Sequence, residues 1–247
     1  MSGALFVSDL HLSGERPESS EQFIRFLHHE ARAAQALYIL GDLFEYWIGD
    51  DELEDVPGDP LGRQVAQGLR QLTEAGVALH LMHGNRDFLI GARFCAATGA
   101  QLLDEPSVAE FDGERFALLH GDTLCIDDLP YQAWRRICRS ADWQREFLAK
   151  PRDERRVAVL GYREQSKAAL RAKPPEIMDA NVGAVCEAFR RLGVTRLIHG
   201  HTHRPAHHRH MVDGKPCERW VLPDWYDHGG YLAIERGVAR LARFGEV

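Results

Sequence analysis

Five short apolar runs in this chain each end, within a few residues, at Asp, Asn or His, usually beside a glycine. Short apolar runs bounded by turn residues are typical of buried strands. Helical patterns at 21–34 and 60–76 separate the early runs, and this alternation predicts crossover connections and a largely parallel sheet. The predicted strands cover residues 5–7, 37–40, 78–82, 115–119 and 196–198.

The polar residues at these strand ends are expected to converge. In open α/β sheets the ligand site lies outside the carboxyl ends of the strands, so residues that are distant in sequence meet there. Any one of them has an ordinary alternative role, such as capping a helix, forming a turn or being a hydrogen-bonded buried imidazole. Five coincidences at five strand ends favour a shared site instead. The residues are Asp9, His11, Asp42, Asn85, His120, His201 and His203.

Composition narrows the class of protein. With 247 residues, 45% of them apolar, the chain is long enough for one large α/β domain over 1–247 that carries an insertion. The net charge of −7 argues against nucleic-acid binding, because such domains are usually basic. Five cysteines, never spaced as CxxC, suit reduced thiols in a cytosolic protein. We find neither a signal peptide nor the roughly 20 consecutive apolar residues that cross a bilayer.

The strand-end motifs resemble, in order and in kind, those of the calcineurin-like metallophosphoesterases. Longer stretches, among them ALYILGDLFEYWIGDD, LLHGDTLCIDD, IMDAN and LIHGHTHRPA, narrow the resemblance to the UDP-2,3-diacylglucosamine hydrolases of the lipid A pathway. The resemblance extends from about residue 5 to residue 206. The short motifs are DLH (9–11), GDLFE (41–45), GNRD (84–87), HGD (120–122) and GHTH (200–203).

This resemblance implies a fold and a reaction. The fold is a two-sheet αββα sandwich with a helical cap insertion at about 128–180. The reaction is cleavage of the pyrophosphate of UDP-2,3-diacylglucosamine to UMP and 2,3-diacylglucosamine 1-phosphate. Two alternatives remain open: a phosphoesterase acting on a soluble nucleotide or phosphoprotein, and a non-catalytic scaffold of the same fold.

The resemblance also implies a pair of metal sites that share one carboxylate. A mixed set of Asp, Asn and His ligands suits Mn²⁺ or Fe²⁺, and Mn²⁺ is favoured, with Zn²⁺ as an alternative. Two such ions activate water and neutralise a phosphoryl oxygen. The first ion would be held by Asp9, His11, Asp42 and His203, and the second by Asp42, Asn85, His120 and His201.

Histidines outside this set are expected to be bystanders. The run RLIHGHTHRPAHHRH (196–210) holds six, of which the resemblance assigns His201 and His203 to metal. We expect His199 to be a residue of the strand end. The remaining three lead into an Asp-Gly hairpin turn and are expected at the surface: His207, His208 and His210.

Arg86 departs from many relatives, which carry His at this position. Arginine is effectively always charged, so it cannot serve as a general acid, but it binds phosphate oxygens bidentately. The residue therefore favours an anhydride substrate, whose leaving group departs without a proton. The catalytic set implied by the resemblance is Asp42, Asn85, Arg86, His120 and His201.

Eighty residues separate His120 from His201, far more than one crossover requires. From Arg135 to Lys173 the chain has 12 Lys and Arg against 5 Asp and Glu, with apolar residues interleaved. One interpretation is a helical hairpin with solvated basic faces. The other is a lid whose basic face meets phosphates or anionic lipid headgroups and whose apolar face shelters acyl chains. The interleaved residues include Trp134, Ile137, Trp143, Phe147, Leu148, Val157, Leu160 and Tyr162.

Further expectations concern substrate, location and the C-terminus. By resemblance, substrate contacts come from Asp128, Ser166 and Lys173 together with Asn85, Arg86 and His201. Leu170 stands where the family usually has Asn. The implied partners are the lipid substrate and an anionic membrane surface, with the protein cytoplasmic and peripheral on the inner membrane. The segments WVLPDW, GYLAIE and VARLARF are expected to complete the second sheet.

Overall fold

Two β-sheets lie face to face at the centre of the molecule. The computed structural model describes residues 3–54, 58–173 and 175–244, with the backbone alone for 167–172, 175 and 176. The strands are β1 (Ala4–Val7), β2 (Ala36–Leu40), β3 (Ala78–Met82), β4 (Gln101–Leu103), β5 (Ser107–Phe111), β6 (Glu114–Leu118), β7 (Arg196–His199), β8 (Ala206–Val212), β9 (Lys215–Val221), β10 (Gly230–Glu235) and β11 (Val238–Arg243).

The five predicted strands are confirmed, but they are divided between the sheets. The first sheet has the order β11-β10-β1-β2-β3-β4, and its neighbours from β1 to β4 are parallel. The second has the order β5-β6-β7-β9-β8, with β6, β7 and β9 parallel. β1, β2 and β3 therefore end in one sheet, and β6 and β7 end in the other.

The expectation for the C-terminal segments is wrong for two of the three. Trp220 and Val221 belong to β9 of the second sheet, as predicted. β10 and β11, however, extend the first sheet, where β10 pairs antiparallel with β1. The physical reason is burial: β10 covers the open edge of β1 and places Leu232 and Ile234 in the core between the sheets.

Strand β1 is covered by apolar side chains on both of its faces. Ala4 and Phe6 face the second sheet, where they join Leu118 and Trp220, whereas Leu5 and Val7 face the helices. This alternation follows from the two-residue period of a strand. A strand that is buried on both faces reads as a continuous apolar run, which is why β1 was recognisable in the sequence.

Helices cover both outer faces, which confirms the αββα order. Helices α1–α3 pack on the first sheet and α7 on the second, while α4–α6 form the insertion between β6 and β7. The predicted helix at 21–34 begins earlier, because a proline occupies its first turn. The helices are α1 (Pro17–His28), α2 (Pro60–Glu74), α3 (Ala92–Thr98), α4 (Leu129–Cys138), α5 (Ala141–Leu148), α6 (Arg152–Ala172) and α7 (Val182–Leu192).

The basic residues of the insertion are less solvated than the hairpin interpretation expects. Several of its arginines form ion pairs with carboxylates of the sandwich, so the local positive charge meets negative charge of the core. None of the described helices is long and apolar enough to span a membrane. The pairs include Arg135–Glu105 (2.9 Å), Arg152–Glu54 (2.7 Å), Arg156–Glu52 (3.0 Å), Arg163–Glu45 (3.1 Å) and Arg155–Asp51.

Candidate active site

The five predicted strand ends meet at one edge of the sandwich, across the boundary between the sheets. The backbone N–H of His201 donates to Asp9 Oδ2 at 2.8 Å, which joins the end of β7 to the end of β1. Within the second sheet, Gly200 N–H donates to the carbonyl of His120 at 2.8 Å. The structure thereby brings together all seven predicted metal-site residues: Asp9, His11, Asp42, Asn85, His120, His201 and His203.

Four of these side chains form the first group of donor atoms. Asp9 Oδ1 lies 3.3 Å from His203 Nε2 and 3.9 Å from His11 Nε2. The two imidazole nitrogens are 3.3 Å apart. Asp42 Oδ2 lies 3.6 Å from His11 Nε2, so it borders this group.

A second group shares Asp42. Asn85 Oδ1 lies 3.0 Å from His120 Nε2 and 2.9 Å from His201 Nδ1, and Asp42 Oδ2 is 3.8 Å from His120 Nε2. His120 Nδ1 donates to the carbonyl of Leu40 at 2.9 Å, which leaves Nε2 facing the group. Metal-binding histidines commonly have this arrangement, because the second N–H fixes the orientation of the ring.

The backbone at these positions is strained. Five of the eight non-glycine residues with positive φ in the described chain are predicted metal-site residues. Non-glycine residues in the left-handed region are uncommon, and such strain clusters at functional sites because the surrounding structure must enforce it. The five are Asp9 (55°), His11 (48°), Asp42 (53°), His201 (65°) and His203 (53°).

Glycines allow the strand ends to approach each other closely. A Cβ on Gly84 would lie 2.0 Å from Asp42 Oδ1, and a Cβ on Gly200 would lie 2.2 Å from Asp9 Oδ2. Any side chain at either position would displace a carboxylate of the site. The glycines in GNRD and GHTH therefore have a steric function.

Burial and charge make this cluster suitable for cations. Asp9 and Asp42 are buried, and burial raises the pKa of Asp42 to about 7, although His120 acts in the opposite direction. Burial would also raise the pKa of Asp9, but His203, His120 and His11 together outweigh burial, and the pKa falls below its usual range. Asp9 Oδ1 has no hydrogen-bond partner among the described residues. Divalent cations would give Asp9 Oδ1 the partner that it lacks and would balance the negative charge of the buried carboxylates.

Arg86 lies beside the second group. Its backbone N–H donates to Asp42 Oδ1 at 2.8 Å, and its side chain lines the cavity described below. The guanidinium Nε is buried and makes no hydrogen bond within the described part of the chain. Arg86 thus presents a positive charge between the cavity and the two groups of donor atoms (the metal groups).

A cavity of about 420 Å³ opens beside the metal groups, between the sandwich and the insertion. Its walls are largely aromatic and aliphatic. Trp143 stacks on Phe147 at 4.8 Å, and Trp134 lies 5.1 Å from Tyr162. The lining residues are Glu45, Tyr46, Trp47, Asn85, Arg86, Phe88, Leu89, Pro130, Tyr131, Trp134, Trp143, Phe147, Val159, Tyr162, Arg163, Gln165, Ser166 and Lys173.

Two of the three predicted contacts in the insertion line this cavity. Ser166 and Lys173 are in its wall, whereas Asp128 is not among the described lining residues. Asp128 is the N-cap of α4, accepts from Tyr131 N–H at 3.2 Å and pairs with Lys173 Nζ at 2.5 Å. Its carboxylate therefore orients the lysine. The side chain of Leu170 lies outside the described residues.

The other histidines of the His-rich run stay outside the metal groups of the described chain. His199 is buried at the strand end, 2.9 Å from Arg219 Nη1, and burial together with this arginine lowers its pKa to about 3. His207 is exposed, as predicted. His208 and His210 are partly buried; Arg219 of the neighbouring strand β9 is the register partner of His208, and its Nε lies 3.4 Å from His210 Nε2.

Several residues of the site were not identified from the sequence. Glu45 is buried beside His11, and Tyr131 stacks near His201 with ring centroids 6.0 Å apart. Trp47 and Phe88 line the cavity from the side of the sandwich. The available signal for Glu45, Trp47 and Phe88 was their position in FEYW (44–47) and GNRDF (84–88), whereas Tyr131 lies in α4, nine residues after HGD, where no motif marks it.

A buried ion-pair network also connects the insertion to the strand end of His120. Arg135 Nε lies 2.7 Å from Asp122 Oδ2, and its Nη2 lies 2.9 Å from Glu105 Oε2. Glu105 Oε1 in turn accepts from the backbone N–H of His120 at 2.8 Å, and Tyr131 donates to Asp122. Helix α4 is thus fixed to the frame of the second metal group.

Comparison with known proteins agrees with this geometry. The sequence model of the calcineurin-like phosphoesterase family matches residues 4–205, which include every predicted metal-site residue. The chain belongs to the calcineurin-like phosphoesterase family and, within it, to the UDP-2,3-diacylglucosamine hydrolases. The resemblance stated from the motifs is confirmed.

The narrower assignment rests on similar curated proteins of that name. A UDP-2,3-diacylglucosamine hydrolase of Aromatoleum aromaticum is 49% identical, covering 98% of this chain and 97% of the relative. One from Pseudomonas putida is 46% identical over 97% of this chain and 98% of the relative. One from Cellvibrio japonicus is 47% identical over 92% of this chain and 93% of the relative.

Proposed function

We propose that this protein hydrolyses the pyrophosphate of UDP-2,3-diacylglucosamine to UMP and 2,3-diacylglucosamine 1-phosphate in lipid A biosynthesis. The observation that carries the proposal is the aromatic cavity that opens directly onto the metal groups. A polar reaction centre beside an apolar chamber suits a substrate with a nucleotide diphosphate at one end and acyl chains at the other. The names of the relatives support the same substrate.

In this proposal Asp9, His11, Asp42 and His203 hold one divalent ion, and Asp42, Asn85, His120 and His201 hold the other. The mixed oxygen and nitrogen donors favour Mn²⁺. When bound, the ions supply charge neutralisation at phosphorus and a lowered pKa for water. Asp42 has the central position, because one of its carboxylate oxygens lies between the two groups.

Arg86 binds the substrate phosphate that lies next to the metal groups. Its charge is permanent, so it stabilises negative charge but gives no proton to a leaving group. The sugar 1-phosphate needs no proton to depart, because its second pKa is about 6, like that of other phosphate monoesters. Arg86 therefore suits attack on the uridine-side phosphorus, with the lipid phosphate as leaving group.

The insertion binds the lipid half of the substrate. Ser166 and Lys173 contact the headgroup from the cavity wall, with Lys173 held in place by Asp128. The acyl chains lie among Trp134, Trp143 and their aromatic neighbours. Burial of these chains provides binding energy remote from the reacting bond, which positions the phosphate.

The same insertion carries the proposed contact with a membrane. Several large apolar side chains of the insertion are exposed, and basic residues stand near them in sequence. We place the protein in the cytoplasm, peripheral on the cytoplasmic face of the bacterial inner membrane, where its lipid substrate lies. The exposed residues include Leu129, Ile137, Leu148, Val157 and Leu160.

The direct test compares two substrates. Purified protein is incubated with UDP-2,3-diacylglucosamine or UDP-N-acetylglucosamine, and UMP release is measured with Mn²⁺ and with excess EDTA. We expect Mn²⁺-dependent release from the lipid substrate and a kcat/KM at least about 10²-fold lower without acyl chains, because their binding energy is lost. Comparable kcat/KM values would favour a soluble-nucleotide phosphoesterase, and full activity in EDTA would contradict the metal proposal.

A further inference from the structure

Glu45 is a buried carboxylate to which the proposed reaction gives no function. It is only 5% exposed and stands in the GDLFE motif, three residues after Asp42. Its two oxygens face in different directions. Oε2 lies 3.6 Å from Nδ1 of His11, and Oε1 lies 3.1 Å from Nε of Arg163 in helix α6.

The His11 ring has one nitrogen at the metal group and one that needs an acceptor. Nε2 is the atom that faces Asp9, Asp42 and His203. A histidine that binds metal through Nε2 carries its proton on Nδ1, and a carboxylate commonly accepts a hydrogen bond from this N–H. Nδ1 is buried and has no hydrogen-bond partner in the described residues, and Glu45 Oε2 stands opposite it.

Glu45 is not itself one of the close metal-site donors. The groups of carboxylate and imidazole atoms found together among the described residues do not include it. Its oxygen faces the nitrogen of His11 that points away from the group. The geometry therefore places Glu45 behind His11, where it can hold the ring of this proposed metal ligand in position.

Arg163 connects this support to the insertion. Its side chain is 13% exposed, and it pairs both with Glu45 and, at 2.9 Å, with Glu15. On the sandwich side, Arg16 Nη2 lies 3.4 Å from Glu45 Oε2 and donates to the carbonyl of His11 at 2.7 Å. Glu45 is thus held between an arginine of the sandwich and an arginine of the insertion.

We propose that Glu45 is a positioning residue whose carboxylate accepts a hydrogen bond from His11 Nδ1–H and so directs Nε2 at the metal ion. Through Arg163, this support depends on the docking of helix α6. Because coupling between two binding events is reciprocal, docking of the insertion strengthens metal binding, and metal binding strengthens docking. The inference rests on the proposed function of His11 as a metal ligand.

The test measures Mn²⁺ binding to the metal-free full-length protein by titration calorimetry, without substrate. We expect His11→Ala to lose one of the two ions. Glu45→Ala weakens the same ion by about 10- to 100-fold, the usual effect of removing a partner behind a metal-binding histidine. Glu45→Gln falls between wild type and Glu45→Ala, because an amide oxygen still accepts a hydrogen bond from His11 but carries no charge to pair with the neighbouring arginines.

A matched pair of arginines tests the coupling to the insertion. Arg163 and Arg156 lie on the same helix and each pairs with a buried glutamate, but the partner of Arg156 is Glu52, outside the metal groups. We expect Arg163→Ala to weaken Mn²⁺ binding clearly, and Arg156→Ala, which removes a docking contact but leaves the contact with Glu45, to weaken it much less. Hydrogen exchange in α6 should slow on Mn²⁺ addition in wild type and much less in Glu45→Ala.

The outcomes separate this inference from the proposed metal site. If His11→Ala still binds two ions with wild-type affinity, the metal-site assignment fails, and this inference fails with it. If His11→Ala loses an ion while both Glu45 variants bind as wild type, only the positioning role is wrong. Equal weakening by Arg163→Ala and Arg156→Ala would overturn the coupling through Glu45.

Discussion

The metal groups and the aromatic cavity share a border but are built in opposite ways. The metal groups consist of buried and partly buried polar side chains at strand ends, and the backbone of five of the seven residues is held in the left-handed region. The cavity consists of aromatic side chains from loops of the sandwich and from helices of the insertion. In the metal groups the direction of the donor atoms is fixed, whereas the binding energy that the cavity supplies depends mainly on the apolar area that is buried in it.

This difference predicts that substitutions in the two regions have different signatures. A change in a metal group should remove the reaction for every substrate, because we propose that the reaction takes place there. A change in the cavity should affect only substrates that carry acyl chains. Arg86 and Glu45, which border both regions, connect them.

The largest expected effect is that of Asp42→Ala. Since Asp42 borders both groups, its loss should release both ions and lower kcat by about 10³-fold or more, equivalent to several kcal/mol of transition-state stabilisation. Metal content after desalting and UMP release measure the two effects. His207→Ala is the control and should change neither, and an Asp42→Ala protein that retains both ions would contradict the shared-carboxylate assignment.

Arg86→Ala should come next. The substitution removes a positive charge that is already positioned beside the substrate phosphate. We therefore expect kcat/KM to fall about 10²- to 10³-fold, in the range seen for comparable anion-stabilising donors. Metal content should stay at the wild-type level. Arg86→His should not restore activity, because the required group is a permanent charge. A His variant as active as wild type would show that this position donates a proton.

Trp134→Ala tests the cavity. The loss of an aromatic wall should cost about 1.5–3 kcal/mol of apolar contact, or roughly 10- to 100-fold in kcat/KM for UDP-2,3-diacylglucosamine. The slow hydrolysis of UDP-N-acetylglucosamine should stay unchanged, as measured in the same assay. An equal loss on both substrates would mean that the residue supports the fold instead of the acyl chains.

The smallest expected effect concerns the membrane. Val157, which is 71% exposed on the insertion, should contact lipid, and Val157→Asp should lower binding to anionic vesicles about fivefold, the equivalent of about 1 kcal/mol per charge. Vesicle sedimentation at low and high salt measures this. Binding by wild type that does not weaken with salt would contradict the electrostatic part of the proposal.

The fold could be predicted where the sequence pattern is local. β1, β2, β3, β6 and β7 are apolar runs followed by ligand motifs, and their existence and approximate bounds were predictable. The sheet to which β10 and β11 belong was not, because pairing with β1 or with the second sheet satisfies the same alternation of apolar residues. That choice depends on contacts more than 200 residues apart in sequence.

The site divides in the same way. The metal-site residues converge as expected, because each is fixed to a strand end by a short motif. The roles of Asp128 as the N-cap of α4 and as the partner of Lys173 could not be predicted, since they appear only when the insertion is folded, and its contact with substrate stays a prediction. The excess of arginines in the insertion also had a structural meaning that composition conceals: they pair with the sandwich.

The central claim is that water attacks the uridine-side phosphorus beside the metal groups, where Arg86 stabilises negative charge, and that the lipid phosphate is the leaving group. Hydrolysis of UDP-2,3-diacylglucosamine in ¹⁸O-labelled water, with both products analysed by mass spectrometry, tests it most directly. The account predicts one ¹⁸O atom in UMP and none in 2,3-diacylglucosamine 1-phosphate. Label in the lipid product would contradict it.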